Sequence, residues 1–507
     1  MSEKLHVDLE EFAGKGDASI VKHIDNDAEV LGVLGDEDIV VDPETSRKLY
    51  WKINRRVLPF MIAVYLCQSL DKATISLSSV LGIIEDTKMT DSQFSWLGSI
   101  LYFGTVAGEF PANLLIQKVP IAKLVSINVF LWGALTACTA AINNFAGLAA
   151  MRFLLGFFEA CVMPSFLVIT QMWYTRTEQV LIFALWSCMP GVQIMVGGLL
   201  AYGVSHYDNG IIKPWQLLFL VLGLATVVLG VALFFFLPDS PVKAKCFDED
   251  TKRLMIARVR GNETGVQPNK RVKWYQVREA ASDPLTYCLF VMQVITCFFT
   301  GGLGYFTNLI VASFGYSYLQ TQLLNLAQGG LVVIIVIGTM YLAQRTQTML
   351  TLIGTGWIPI VGIVCVMKIT PTASNKVGLL IAYYLTQFTW PITDLINTLI
   401  SRNIAGSSKR TAVMLANFVA WSAGNAAAPL AYSTGSGNGY HSAFIANLVL
   451  FCVYYCTLFL TRFLLVRKNK LKKAMATYDD EGNEIISHAN AFSDLTDGEN
   501  SNFRYCI

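Results

Sequence analysis

Polar and apolar positions along this chain are segregated into long blocks. From residue 57 onward the apolar blocks run about 20 residues each, the length that crosses a bilayer as a helix. Twelve blocks are expected as membrane helices, at 57–82, 94–116, 122–141, 146–171, 180–203, 215–237, 285–310, 321–343, 350–367, 377–400, 411–431 and 443–465. The longest polar stretch among them, Pro238–Pro284, divides them six and six. The expected organisation is a tail (1–56), a first six-helix bundle (57–237), a central loop (238–284), a second six-helix bundle (285–465) and a second tail (466–507). The fold class predicted is an all-α membrane protein. Pro111, Pro164, Pro190, Pro359, Pro391 and Pro429 interrupt the blocks, as do Gly197-Gly198 and Gly301-Gly302. Proline permits bends and small residues permit close helix approach, a pattern that suits helices that rock.

Charge sets the orientation. Arg47, Lys48, Lys52, Arg55 and Arg56 precede the first block, and Lys118 and Lys123 lie between the second and third. Arg402, Lys409 and Arg410 lie between the tenth and eleventh, and Arg467, Lys468, Lys470, Lys472 and Lys473 follow the last. The positive-inside rule then places both termini in the cytosol, which an even number of spans requires. The sequon Asn262-Glu263-Thr264 falls on the cytosolic side and is expected to be unused. The first fifty residues are polar and acidic, expected as a cytosolic tail and not as a cleavable signal. Of the 507 residues, 54% are hydrophobic and only 15% charged, against about a quarter charged in soluble domains. A net charge of +2 makes no case for nucleic acid. The eleven cysteines are scattered, without metal-ligand or disulfide spacing. No phosphate-binding GxxxxGK[ST] loop occurs, so nothing supports ATP-driven pumping. No cofactor or metal is expected.

Against this background four ionisable residues stand out. Asp71 and Lys72 lie within the first block, Arg152 and Glu159 within the fourth. Charges at membrane depth are costly and mark ion or substrate paths. Arg152 and Glu159 are two turns apart, on one helix face. Asp71 and Glu159 are groups that can carry a proton. Lys72 and Arg152 can bind an anion, and the planar fork of Arg152 suits a carboxylate. With the cavity empty, Asp71 is expected to pair with Arg152. The alternative is a salt bridge that only ties helices together. Gln193, Asn308 and Asn425 are further candidates for lining a substrate site, and Glu109 and Asp394 for gating or cavity roles. Trp186, Tyr305 and Trp390 are aromatics placed to stack on substrate.

These residues carry a resemblance that covers nearly the whole chain. Its motifs are Trp51-Lys52-Ile53-Asn54, Leu70-Asp71-Lys72, Arg152–Glu159, Leu237-Pro238-Asp239-Ser240-Pro241, Lys409-Arg410, Gly424–Pro429 and the tail Asp494–Tyr505. The chain resembles the major facilitator superfamily, within it the anion:cation symporters and specifically the fungal allantoate permease family. The resemblance implies two bundles that move a small organic anion, usually with protons, by alternating access. It implies proton coupling at Asp71 and Glu159, and substrate and gating roles at Lys72 and Arg152, where many relatives have Arg at the Lys72 position. The substrates it implies are carboxylates such as allantoate or ureidosuccinate, vitamins, or sulfur compounds. The expected partners are such an anion, protons and the lipid bilayer, for a carrier expected to be monomeric in the plasma membrane. A non-transporting nutrient sensor on the same fold is the alternative. A channel lacks support, since no filter-like loop or ring of charges occurs.

Overall fold

A computed structural model of the chain describes residues 41–506 except 208–209, 211, 243, 245, 261–272, 373, 434–440, 475–494 and 501–502. The sequon at Asn262 and the first forty residues lie outside the described residues. Helix α1 (Pro43–Arg56) precedes α2 (Leu58–Ser79), the short α3 (Ile83–Asp86), α4 (Asp91–Lys118) and α5 (Ile121–Thr139). Then come α6 (Phe145–Glu159), α7 (Val162–Trp173), α8 (Arg176–Ser187), α9 (Met189–Ser205) and α10 (Pro214–Phe236). Two shorter helices, α11 (Glu249–Arg260) and α12 (Trp274–Ser282), lead to the second half. That half comprises α13 (Pro284–Ser313), α14 (Tyr318–Arg345), α15 (Thr348–Lys368), α16 (Lys376–Leu385), a 3-10 turn (Thr386–Thr389), α17 (Trp390–Asn403), α18 (Ser407–Ser433) and α19 (His441–Ala474).

All twelve expected blocks fall on helices. Local chemistry sets several of their starts. Thr90 and Gln93 cap α4 reciprocally, and Ser317 and Gln320 cap α14 in the same way. Asn144 accepts the Gly147 N–H at the start of α6, and Asp283 accepts the Leu285 N–H at the start of α13. The fourth, fifth and tenth blocks are each broken once. The breaks lie at Ala160-Cys161, just ahead of Pro164, at Cys188, ahead of Pro190, and across Thr386–Thr389, ahead of Pro391. Among the described residues nine helical paths are long and apolar enough to cross a membrane on those grounds alone. The three that fall short are α2, which carries Gln68, Asp71 and Lys72, the broken α16–α17 path, and the Ser- and Asn-rich α18. Large apolar side chains such as Phe110, Val228, Phe235, Ile334, Val361, Ile381, Phe459 and Phe463 are exposed on the outer surface, as lipid contact requires.

Close packing positions the charged helix. A Cβ at Gly104 or Gly108 of α4 would strike the main-chain carbonyls of Phe153 and Phe157, so α4 and α6 meet backbone to backbone. The two halves touch through α9 with α14, α4 with α18 and α2 with α13. Across these contacts Ser99 donates to the Ala426 carbonyl (2.6 Å), Tyr305 to the Phe94 carbonyl (2.6 Å) and Asn308 to the Ser76 carbonyl (3.1 Å). These bonds lie away from the Lys118 end of α4 and the Lys409 end of α18. The starts of α13 and α18 and the end of α19 share another, basic face, where Lys409 and Lys468 meet Asp283.

Candidate functional site

Helices α2 and α6 bring the four expected ionisable residues together, with a pairing that the sequence did not suggest. Asp71 and Lys72 are neighbours on a helix and point about 100° apart at 3.6 residues per turn. Lys72 is the one turned toward the space between the halves, with its side chain 27% exposed. Its ammonium lies 3.1 Å from the buried carboxylate of Glu159 and 5.4 Å from the centre of the Trp421 ring, contributed by the second half. Asp71 turns the other way, into the first half. One of its carboxylate oxygens accepts the Trp132 indole N–H (2.7 Å); the other makes no hydrogen bond among the described residues.

Arg152 reaches Asp71, but not its carboxylate. One guanidinium nitrogen donates to the Asp71 main-chain carbonyl (3.2 Å). The other, Nη2, is buried and makes no hydrogen bond among the described residues. The Phe219 ring lies 5.9 Å from the guanidinium carbon. The expected Asp71–Arg152 ion pair is therefore absent, and Lys72 with Glu159 is the ion pair that forms. The long lysine stem reaches across from α2 to α6, while the shorter Asp71 is taken by the indole of α5.

Other candidates separate by what they touch. Asn308 donates to Ser76 and accepts from Asn325 (2.9 Å), so it ties α2, α13 and α14 together. Asn425 donates to the Trp421 carbonyl one turn back and packs against Gly301, which makes it a helix-contact residue. Gln193 is buried beside Gly197. Glu109 holds Asn113 (3.0 Å) with one oxygen, and its other oxygen is buried without a hydrogen bond among the described residues. Asp394 is half-buried on α17. Of the expected aromatics, Trp186 is buried against Tyr65 (4.9 Å), Tyr305 donates to Phe94 across the halves, and Trp390 donates to Gln387. Sequence reasoning missed Trp132, Gln68, Tyr65, Tyr102 and Trp421. Gln68 lies beside Glu159, and the Tyr102 and Trp421 rings meet at 5.4 Å across the halves. Nothing distinguishes them along the sequence from other aromatic and amide residues in the spans.

The arrangement holds one ion pair, Lys72 with Glu159, and buried polar atoms of Glu159, Asp71 and Arg152 that make no hydrogen bond among the described residues. The pattern that defines the Major Facilitator Superfamily matches residues 61–429. Allantoate permease of Saccharomyces cerevisiae is 30% identical over 93% of this chain and 88% of its own length. The thiamine pathway transporter of the same yeast is 31% identical over 91% of this chain and 87% of its own. A transporter of Schizosaccharomyces pombe, itself uncharacterised, is 32% identical over 100% of this chain and 96% of its own. The solved structure of a bacterial homologue of the human lysosomal transporter Spinster, inward-facing and unoccupied, superposes with a TM-score of 0.63 at 14% identity, over 80% of this chain and 96% of that one. A D-xylose–proton symporter superposes with a TM-score of 0.60 at 13% identity, over the same shares. Those two likenesses concern the fold.

Proposed function

Because the chain belongs to the Major Facilitator Superfamily, we propose that its central site takes up a small organic anion together with protons, by alternating access between the two bundles. The observation that carries this reading is the incomplete bonding of Arg152. A buried guanidinium with a spare nitrogen is costly unless a ligand takes it up in part of the cycle. A carboxylate is the group that its fork fits, with two parallel hydrogen bonds. Lys72, facing the space between the halves, attracts the anion. Each carboxylate here neutralises a cation or is left nearly bare, so a proton and an anion can bind in mutually reinforcing fashion. Binding substrate at Lys72 loosens its hold on Glu159, and Glu159 then gains from taking a proton.

The contacts between the halves lie on the side remote from the basic face. With both termini cytosolic, this is a carrier open to the cytosol, working as a monomer in the plasma membrane. The likeness to allantoate permease favours a carboxylate of the ureido acid kind; vitamins and sulfur compounds are the further classes to assay. The test is uptake of labelled organic anions into cells lacking the protein and into cells expressing it, with and without a proton gradient. Accumulation above the outside concentration that collapses with the gradient supports the proposal. Binding without flux is the sensor's outcome and overturns it.

A further inference from the structure

The last residues of the chain occupy a built site on the basic face of the second half. Asp497 enters it to meet Lys409 at 2.7 Å, and both side chains are 1% exposed. The same ammonium also touches Glu279 of α12 (2.9 Å) and Asp283 at the foot of α13 (3.4 Å). Each carboxylate oxygen of Asp497 is used. One also faces the Ala405 N–H (3.4 Å), and the other accepts the Tyr505 hydroxyl (2.8 Å). Buried Lys472, near the end of α19, donates to the carbonyls of Gly498 and Asn500 (2.7 Å each). Two asparagines read the extended end of the chain by its peptide groups. Asn469 accepts the Tyr505 N–H (2.8 Å) and donates to the Tyr505 carbonyl (2.9 Å). Asn403 does the same with Cys506 (2.7 and 3.1 Å). Lys468 completes the site, bound to Asp283 and 5.2 Å from the centre of the Tyr505 ring.

We propose that residues 495–500 and 503–506 are a releasable latch: a peptide that binds its own carrier and fixes the basic-face ends of α12, α13, α17, α18 and α19 as one block. The site recognises its peptide twice over, by main-chain pairing at 505 and 506 and by the Asp497 and Tyr505 side chains. It is releasable because its charges rebalance. Docked, Lys409 and Lys468 meet Glu279, Asp283 and Asp497, and Lys472 is held by two tail carbonyls. Undocked, Lys409 keeps Glu279 and Asp283, Lys468 keeps Asp283, and Lys472 is returned to water. No buried charge is left without a partner. The ends it binds border the face that must close when a carrier of this fold turns over, so docking sets how fast that face moves.

The experiment compares the full-length chain with its Asp497→Asn and Tyr505→Phe variants, both full length, in two measurements. Hydrogen exchange is independent of any substrate, so it stands even if organic anion uptake itself is not found. Asp497→Asn is expected to raise exchange at least tenfold in peptides covering 274–284, 403–409 and 466–474, and to leave α4, α6 and α10 unchanged. Tyr505→Phe, which loses one hydroxyl, is expected to show the same pattern more weakly with normal surface density. Transport per surface molecule is expected to change threefold or more in Asp497→Asn, with apparent substrate affinity unchanged. Unchanged exchange in those three segments overturns the docking site. Raised exchange with unchanged turnover overturns the latch, leaving only a structural contact. If Asp497→Asn is lost from the membrane, Tyr505→Phe alone decides, by the same two criteria.

Discussion

The molecule buries ionic groups in two places, and they are built on opposite rules. On the basic face, the ammonium of Lys409 has three carboxylates for its three protons, and Asp497 uses both oxygens. At the centre, Asp71 leaves one carboxylate oxygen without a hydrogen bond, and Arg152 leaves one guanidinium nitrogen so. A satisfied buried network rigidifies, whereas a partly satisfied one is poorly stabilising. The contrast separates a centre whose missing partners a ligand or a proton can supply from a docking site whose partners the chain's own tail already supplies.

The largest effect is expected at the central site. Glu159→Gln removes the partner of Lys72 and the group assigned to proton coupling. Concentrative uptake is expected to be abolished while counterflow exchange is partly retained at equal surface density. Uptake that stays concentrative and gradient-dependent in this variant removes Glu159 from coupling and turns the central pair into a structural one, erasing the contrast.

On the basic face the expected damage is to folding. Lys409→Met leaves three carboxylates converging on a methionine. Breaking a buried pair from one side costs about 3–5 kcal/mol, so the variant is expected to melt earlier and reach the membrane poorly, while whatever does arrive binds substrate normally. The cluster's pH window follows from two of its members. Burial alone pushes Asp283 upward, but the hydrogen bonds and charge of Lys468 outweigh it and hold the carboxyl below its ordinary range. Burial alone works against the charge on Lys409, but Asp497 and Glu279 outweigh it and hold the ammonium above its ordinary range. The contribution of Asp283 is therefore present above the unfolded value of about 3.9 and lost as pH falls through the folded one. That of Lys409 is present below about 10.4 and lost as pH rises through its folded value. Protection at 403–409, the exchange rate relative to the intrinsic rate at each pH, is expected to stay flat across neutral pH and to fall only in strong acid or strong base. A loss of protection between pH 6 and 8 contradicts this assignment.

Arg152→Lys is expected to act more gently. The charge stays and the fork is lost. A charge-assisted hydrogen bond is worth about 1.5–3 kcal/mol, so apparent substrate affinity is expected to fall roughly ten- to a hundredfold, with normal surface expression. Poor expression with normal affinity instead places Arg152 among the structural charges and moves it to the other side of the comparison.

Much of this was legible in the chain, and the limits have physical reasons. The twelve helices follow from block length; Pro164, Pro190 and Pro391 each lie just beyond a break, whereas Pro111, Pro359 and Pro429, also expected to interrupt, lie inside unbroken helices. Asp71, Lys72, Arg152 and Glu159 were legible because a charge inside an apolar block demands a purpose. Their pairing was not, because depth in the membrane does not say which way a side chain turns. The 100° step between Asp71 and Lys72 sends one toward Trp132 and the other toward Glu159, and only packed helices reveal which. Asn308 and Asn425 were expected at the substrate site; the bonds they make run to neighbouring helices or along their own, and those partners could not be read from the chain, since an amide inside a span signals polarity without direction. The tail motif around Asp497 was visible, but its partner Lys409 lies 88 residues earlier in the chain (497 − 409), and no local pattern joins them.

The smallest expected effect tests whether the underbonded site is organised at all. Trp132 is fully buried on α5, and its indole N–H is the single hydrogen bond that the Asp71 carboxylate receives among the described residues. Trp132→Phe keeps a ring in place and removes the donor. Arg152 is not directly disturbed, because it binds the Asp71 main-chain carbonyl. The expected loss is about 1–2 kcal/mol of stability, the range for one buried hydrogen bond, with uptake reduced several-fold and not abolished. Lost packing volume contributes to such a number, so the informative measurement is a double-mutant cycle with Asp71→Asn. If the indole acts through the carboxylate, the effects on uptake are strongly non-additive, and Trp132→Phe adds little once Asp71 is gone. Fully additive effects mean that Trp132 only fills space and that Asp71 is oriented by its helix alone.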